Sequence, residues 1–567
     1  MRKLTPFDDR DSRPTIVTAD IIRTVDNETP TASAMLIAGG KILSIGTPEE
    51  VESAAAELRV DPERVERPGA TIVPGFVDPH AHPLMFGQML TWIDVSPEKA
   101  KTIPEILALL REGAGTLPYG TPIRGYGYEQ RNLVERRHPT RQELDEVSDD
   151  REVYIMNASG HGGVVNTFTL DKFGITKDTP NPEGGEFFRD EEGELTGELS
   201  DAASNVLTGL GGVKVGQHGP NFHLGDEPAE HQRQLDIVQQ RFLAGGVTAV
   251  GDAQVSKREF SAYLGMVERG ALKIRVSMYF LSHLLDQVLD LGLIGPFGNA
   301  FLATAGIKLY ADGTLGGWTA YFPEGYVGDP CRTGQLYHSP DEYSELVRRA
   351  HRSGLQTATH AQSPVAIRMV VDAIEAALDE RPDPDSRHRI EHCGLPDEGD
   401  ITRMADLGIR PVNQPQHYFN WGEGVEQAVG TPGERFNPLG EFVAEGVPVT
   451  LSSDAPVAEP RPLEAMQTAV TRVTSRGHRL GSDSLCISPE QALRAHTFEG
   501  AKTLGRENEF GSLSVGKRAD FTVLAADPIT SAPDKIASIP VLETWVDGYR
   551  RYSAASPDAE QVEGEQR

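Results

Sequence analysis

The chain has 567 residues, with 84 acidic against 54 basic side chains and a formal net charge of −30. That length supports a large core and at least one further lobe, and the acidic balance argues against nucleic acid and anionic membrane as partners. Three widely spaced cysteines, Cys331, Cys393 and Cys486, imply no disulfide framework. No apolar stretch is long enough to span a bilayer, and the first ten residues lack the apolar segment of a signal sequence, so a cytoplasmic location is expected.

In chain order, short strands come first, at 15–25, 34–37 and 41–46, with a hairpin signal at Gly39-Gly40 between the last two. The same texture returns at 519–524 and 541–552. Neither group is large enough to make a core by itself, so 1–70 and 501–552 are expected to combine into one β-domain. Residues 553–567 are polar and rich in Pro, Glu and Gln, and are expected to be disordered.

Between these groups, 71–500 alternates strand and helix patterns. The apolar run Ile72-Val73-Pro74-Gly75-Phe76-Val77-Asp78-Pro79-His80-Ala81-His82 reads as a strand ending on two imidazoles. Further strands are read at 247–252, 273–280, 306–310, 356–360, 389–392, 409–413 and 447–452, with helices such as 341–351 and 364–378 between them. Eight strands with intervening helices predict an α/β fold, a (β/α)₈ barrel. The interval after the first strand is far longer than a crossover helix needs. Residues 90–235, with their own strands at 122–126 and 152–156 and a Gly/Glu/Asp-rich segment at 180–197, are therefore read as a subdomain inserted at the catalytic end.

Barrel sites are assembled from the C-terminal ends of several strands. Those ends carry His80 and His82, Lys308, His360, His392 and Asp454. In an extended chain positions i and i+2 share a face, so His80 and His82 offer half of a metal site. Any one of these histidines alone is more often a core residue. Together the set suits one or two zinc-class ions. Lys308, in the apolar run 305–310, is expected to be desolvated and partly neutral. A neutral amine takes up CO₂, and the resulting carbamate has two oxygens able to bridge two ions.

The 73–82 segment, the later histidines and Ser453-Asp454 resemble the amidohydrolase superfamily of metal-dependent hydrolases. Residues 307–316, the long insertion and 452–457 are similar to its family 3, a branch that includes N-substituted formamide deformylase-like proteins. Gly127-Tyr128-Glu129-Gln130 and Ser159-Gly160-His161-Gly162-Gly163 look like motifs of the same branch. Family members usually carry a Gly-Asp pair after the fifth-strand histidine, whereas this chain reads His360-Ala361-Gln362-Ser363-Pro364.

What the resemblance and the ligands imply is hydrolysis of an amide or related C–N bond of a small molecule by metal-activated water. Asp454 is expected to accept a proton and return it to the leaving nitrogen. His161 is a second catalytic candidate, and Tyr128 and the segment 414–417 are weaker orienting candidates. The stretch from Trp421 to Pro438 is read as a loop forming a pocket wall or rim. An isomerase or decarboxylase on the same scaffold, or a binding protein without catalysis, stand as alternatives. Neither the substrate nor the assembly is specified, a homodimer being one admissible form.

Overall fold

In the computed structural model, residues 13–158, 160, 162–182, 185–208 and 227–554 are described. The barrel has its eight parallel strands in order: Phe76–Ala81, Val247–Val255, Arg275–Leu281, Leu302–Tyr310, Gln356–Ala361, Arg389–His392, Arg410–Asn413 and Thr450–Leu451. Helices pack outside them. Pro340–Arg352 starts on a capping box in which Ser339 and Glu342 satisfy each other's exposed backbone donors, and Pro364–Glu380 starts on Ser363. Phe242, Val250, Met278, Ile307, Val371, Ile390 and Leu451 belong to the main core. At the opposite end from the strand termini, Val77, Ala249, Tyr279 and Ala358 meet Ala501, Leu504 and Phe510, which plug the barrel floor.

The two ends of the chain build one seven-stranded sheet, in the order Tyr549–Ser553, Val541–Val546, Phe521–Leu524, Glu63–Pro74, Thr15–Arg23, Thr31–Ala38 and Lys41–Gly46. The hairpin expected at Gly39-Gly40 is present, with both glycines at positive φ. Arg275 of the third barrel strand reaches out to this sheet. It is fully buried and donates to Asp520 Oδ2 at 2.6 Å and Oδ1 at 2.8 Å. Removing one partner of such a pair typically costs ~3–5 kcal/mol, because it strands the other as an uncompensated buried charge.

One expectation needs correcting. The apolar run expected to be a single strand ending on the histidines is two strands in two sheets. Glu63–Pro74 lies in the terminal sheet, Phe76–Ala81 in the barrel, and the chain changes sheets at Gly75. A Cβ there would collide with Oγ1 and Cγ2 of Thr248 on the neighbouring barrel strand. Only glycine lets the backbone pass so close.

The insertion carries a six-stranded sheet, in the order Gly185–Arg189, Leu195–Asp201, Gly162–Val165, Val153–Asn157, Ile123–Tyr128 and Ile93–Asp94. It has a core of its own, including Ile106, Leu110, Ile123, Val153, Ile155 and Val164. Arg131 Nη2 donates to Gly316 O at 3.0 Å, tying the insertion to the loop after the fourth barrel strand. Position 235 falls within helix Pro228–Ala244, whose Leu235, Val238 and Phe242 pack in the barrel core. Residues 555–567 lie outside the described residues.

Gly75→Ala should destabilise the protein by about 1–3 kcal/mol through the clash with Thr248. Urea unfolding checks this, and a Thr248→Ala background should recover part of the loss.

Candidate metal centre

The first barrel strand delivers His80, and His82 follows as the residue preceding helix Pro83–Met89. Both side chains leave the same face, and Nε2 of each lies 3.2 Å from Asp454 Oδ1. Asp454 follows the eighth strand with φ of 60°, and His392 ends the sixth with φ of 67°. Non-glycine residues in this left-handed region cost roughly 1–3 kcal/mol each, and such strain concentrates at sites the surroundings hold in place.

His392 is the middle of the cluster. Its ring lies 4.5 Å from that of His360, edge-on, and 5.0 Å from that of His80. His417, in the first turn of helix Pro415–Val429, stacks 5.6 Å away and puts Nε2 3.5 Å from Asp454 Oδ2. Two donor sets result, His80–His82–Asp454 and His392–His417–Asp454, all buried, with the ligand atoms of each within 4.8 Å of one another.

These residues fit a cation. Among the described residues, His82 Nδ1 and His417 Nε2 are buried without a hydrogen-bond partner. Such orphaned atoms cost ~1–3 kcal/mol each unless something satisfies them. Imidazole nitrogens grouped round a carboxylate are the donor type of zinc-class ions.

Neighbouring groups fix which nitrogen faces inward. Gln414 Nε2 donates to Ser452 Oγ at 2.8 Å, so its Oε1 is the acceptor for His392 Nδ1 at 2.7 Å. His392 therefore carries its proton on Nδ1 and keeps the Nε2 lone pair free for coordination. Nδ1 of His80 is bonded to the Glu391 carboxylate, which also pairs with Arg389.

Burial pushes His82, His392 and His417 below the ordinary histidine range, His417 to about 4. They are neutral near pH 7, as ligands must be. Burial pushes the Asp454 carboxyl up, but the imidazoles of His80, His82 and His392 outweigh it and hold the group well below the usual carboxylate range. Burial likewise opposes ionisation of Glu391, yet Arg389 and His80 bring it down to about 2.

Burial pushes Lys308 down to about 8, against the pull of Glu391 and Asp454. Its Nζ sits 4.8 Å from the Tyr310 ring centroid, and it pairs with no carboxylate among the described residues. Asp312 is occupied elsewhere, accepting the backbone N–H of Gln362 at 2.9 Å, Ser363 at 3.0 Å and Tyr321 at 3.2 Å. Asp312, beyond the fourth strand, thus anchors the backbone that follows His360.

His161 lies outside the described residues. Tyr128 does not join the cluster, since its hydroxyl is 2.7 Å from His138 Nδ1 within the insertion. The stretch expected to be a loop from Trp421 is helical to Val429, followed by a short 3₁₀ turn at Thr431–Arg435. Gly422 packs within this helix, where a Cβ would strike Leu480. One helical turn then brings Trp421 onto His417, with ring centroids 4.9 Å apart.

Sequence reasoning gave His417 only weak weight and missed Glu391 and Arg389. A signal existed. Arg389 and Glu391 are opposite charges at i and i+2 in a four-residue strand that is buried throughout.

Parallel barrel, composite terminal sheet and histidine–aspartate cluster together define a metal-dependent hydrolase. An amidohydrolase family model matches residues 68–552, and the chain belongs to that family, in its family 3 branch. N-substituted formamide deformylase of Arthrobacter pascens is 33% identical over 94% of this chain and 97% of its own length. A metal-dependent hydrolase of uncharacterised activity from Pyrococcus horikoshii is 25% identical, with a TM-score of 0.75 over 92% of this chain and 99% of its own. A similar hydrolase from Pyrococcus furiosus, also 25% identical, has a TM-score of 0.72 over 91% of this chain and 100% of its own.

His392→Ala should lose metal and activity together, because the residue acts by coordination. Elemental analysis of the purified variant checks this, and wild-type metal content would remove His392 from the donor set.

Proposed function

We propose that this enzyme cleaves the C–N bond of a small amide in the cytoplasm, with an N-substituted formamide as the first substrate to try. The observation that carries the reading is Asp454: one buried carboxylate with Oδ1 3.2 Å from two imidazoles and Oδ2 3.5 Å from a third. The relative from Arthrobacter pascens supports the substrate class. His80, His82, His360, His392 and Asp454 would hold one or two zinc-class ions, with His417 completing the second donor set and a carboxylated Lys308 as the bridge. A bound ion of this class supplies Lewis acidity, polarising the amide carbonyl and making water acidic enough to attack near neutral pH.

The chain's own groups do the rest. Ionised Asp454 accepts a proton at a carboxylate oxygen and returns it to the leaving nitrogen as the C–N bond breaks. Neutral His82, His392 and His417 offer lone pairs without adding charge. Trp421, packed on His417, gives the pocket an apolar wall for the amide's substituent. His161 would orient the substrate from the insertion.

Asp454→Asn should lower turnover by roughly 10²–10⁴-fold while keeping the fold, because it preserves size and removes the basic oxygen. Formate or carboxylate release from a candidate amide measures this, and near-wild-type activity would reassign proton transfer. In ¹⁸O-labelled water the acid product should carry the label. An isomerase or decarboxylase would leave it unlabelled.

Lys308→Ala should bind less metal per chain than wild type, as read by elemental analysis after dialysis. Equal metal content, with no carbamate mass on intact Lys308, would sink the bridged two-ion form.

A further inference from the structure

Behind His80 runs a chain of buried polar groups that the hydrolytic reading does not use. One oxygen of Glu391 bonds His80 Nδ1 and the other pairs with Arg389 Nε. Arg389 then donates from Nη2 to Pro79 O at 2.8 Å and from Nη1 to the Tyr279 hydroxyl at 3.1 Å. Its guanidinium carbon lies 4.1 Å from the Tyr279 ring centroid. The Tyr279 hydroxyl donates to Gln356 Oε1 at 2.6 Å, and Gln356 Nε2 donates to Thr503 O at 3.0 Å, at the barrel floor. Arg389, Glu391 and Tyr279 have no exposed surface.

Stability alone does not account for this arrangement. A buried ion pair recovers little more than its own desolvation, and apolar residues of similar volume often serve as well or better. What apolar residues cannot do is fix an imidazole. With Nδ1–H held by a carboxylate, His80 is locked in one tautomer and one rotation, and Nε2 is turned toward Asp454.

We propose that Glu391 is the positioning residue of the metal centre. It orients His80 for coordination, and Arg389 with Tyr279 holds Glu391 in place from the barrel floor. The inference rests on the metal reading above. Glu391 acts through His80 and touches no reacting atom.

The test uses the full-length protein, stripped with a chelator and titrated with Zn²⁺ against a competing chelator. Glu391→Gln keeps size but meets Arg389 or His80 with an amide N–H where an acceptor is needed. It should bind Zn²⁺ ~10–100-fold more weakly than wild type. A purely structural role would lower the melting temperature of the stripped protein and leave the affinity of its folded fraction unchanged. If Glu391→Gln does not fold, Tyr279→Phe, which removes one hydroxyl and spares both charges, should show a smaller loss of affinity in the same direction. Wild-type affinity in whichever of these folds, Glu391→Gln taking precedence, overturns the positioning role. Absence of Zn²⁺ uptake by wild type would instead overturn the metal reading itself.

Discussion

Closure of the barrel between its first and eighth strands is the constraint on which the rest of the centre depends. The eighth strand is only Thr450–Leu451, too short to hold a seam by its own ladder. The joint is made just beyond it. Asp454 N donates to His80 O at 2.9 Å and His82 N donates to Ala455 O at 2.8 Å. Asp78 accepts the Ser453 N–H at 3.0 Å, in addition to the Ser453 hydroxyl. These bonds bring the His80–His82 pair and Asp454 to one end of one cavity, although nearly the whole barrel sequence separates them. A shift of one residue would turn alternate side chains to the other face and dismantle the cluster.

Within that cavity, burial and charge divide the work. Five imidazoles crowded together would repel if protonated, and burial keeps His82, His392 and His417 in the form that offers a lone pair. Asp454 stays ionised because, against burial, His80 first and then His82 and His392 favour its charge. Glu391 brings a second buried negative charge to the back of His80, and Arg389 offsets it at once. The carboxylate facing the cavity and the one behind it therefore have different tasks. One meets the imidazoles of the cluster, the other is tied to the scaffold.

The rim is built from other material. Arg131 reaches from the insertion to Gly316, and helix Pro415–Val429 lays His417 and Trp421 along one side of the cavity. These parts lie outside the barrel's strand ladder, so apart from His417 they can differ in shape without disturbing the donor sets. Substrate choice on such a scaffold belongs to the rim.

The strand–helix alternation, the turn glycines and the histidines at strand ends are local signals, and they were legible. Periodicity marked the eight strands, and the i, i+2 spacing put His80 and His82 on one face. The excessive interval after the first strand announced the insertion, because chain length is readable without coordinates. Other features were decided by contacts distant in sequence. Whether Gly75 joins two strands or sits within one depends on Thr248, and whether Gly422 breaks or packs a helix depends on Leu480. His417 was legible only as a weak orienting candidate, and the helix places it against His392. Glu391 is a neighbour of His392 in sequence, yet closure sets it behind a different histidine, His80. By itself the sequence determined which residues stand at strand ends, since backbone periodicity is a property of neighbours. Only the tertiary structure decided which of them meet and which way each imidazole turns, since both are set by hydrogen bonds across the closed barrel.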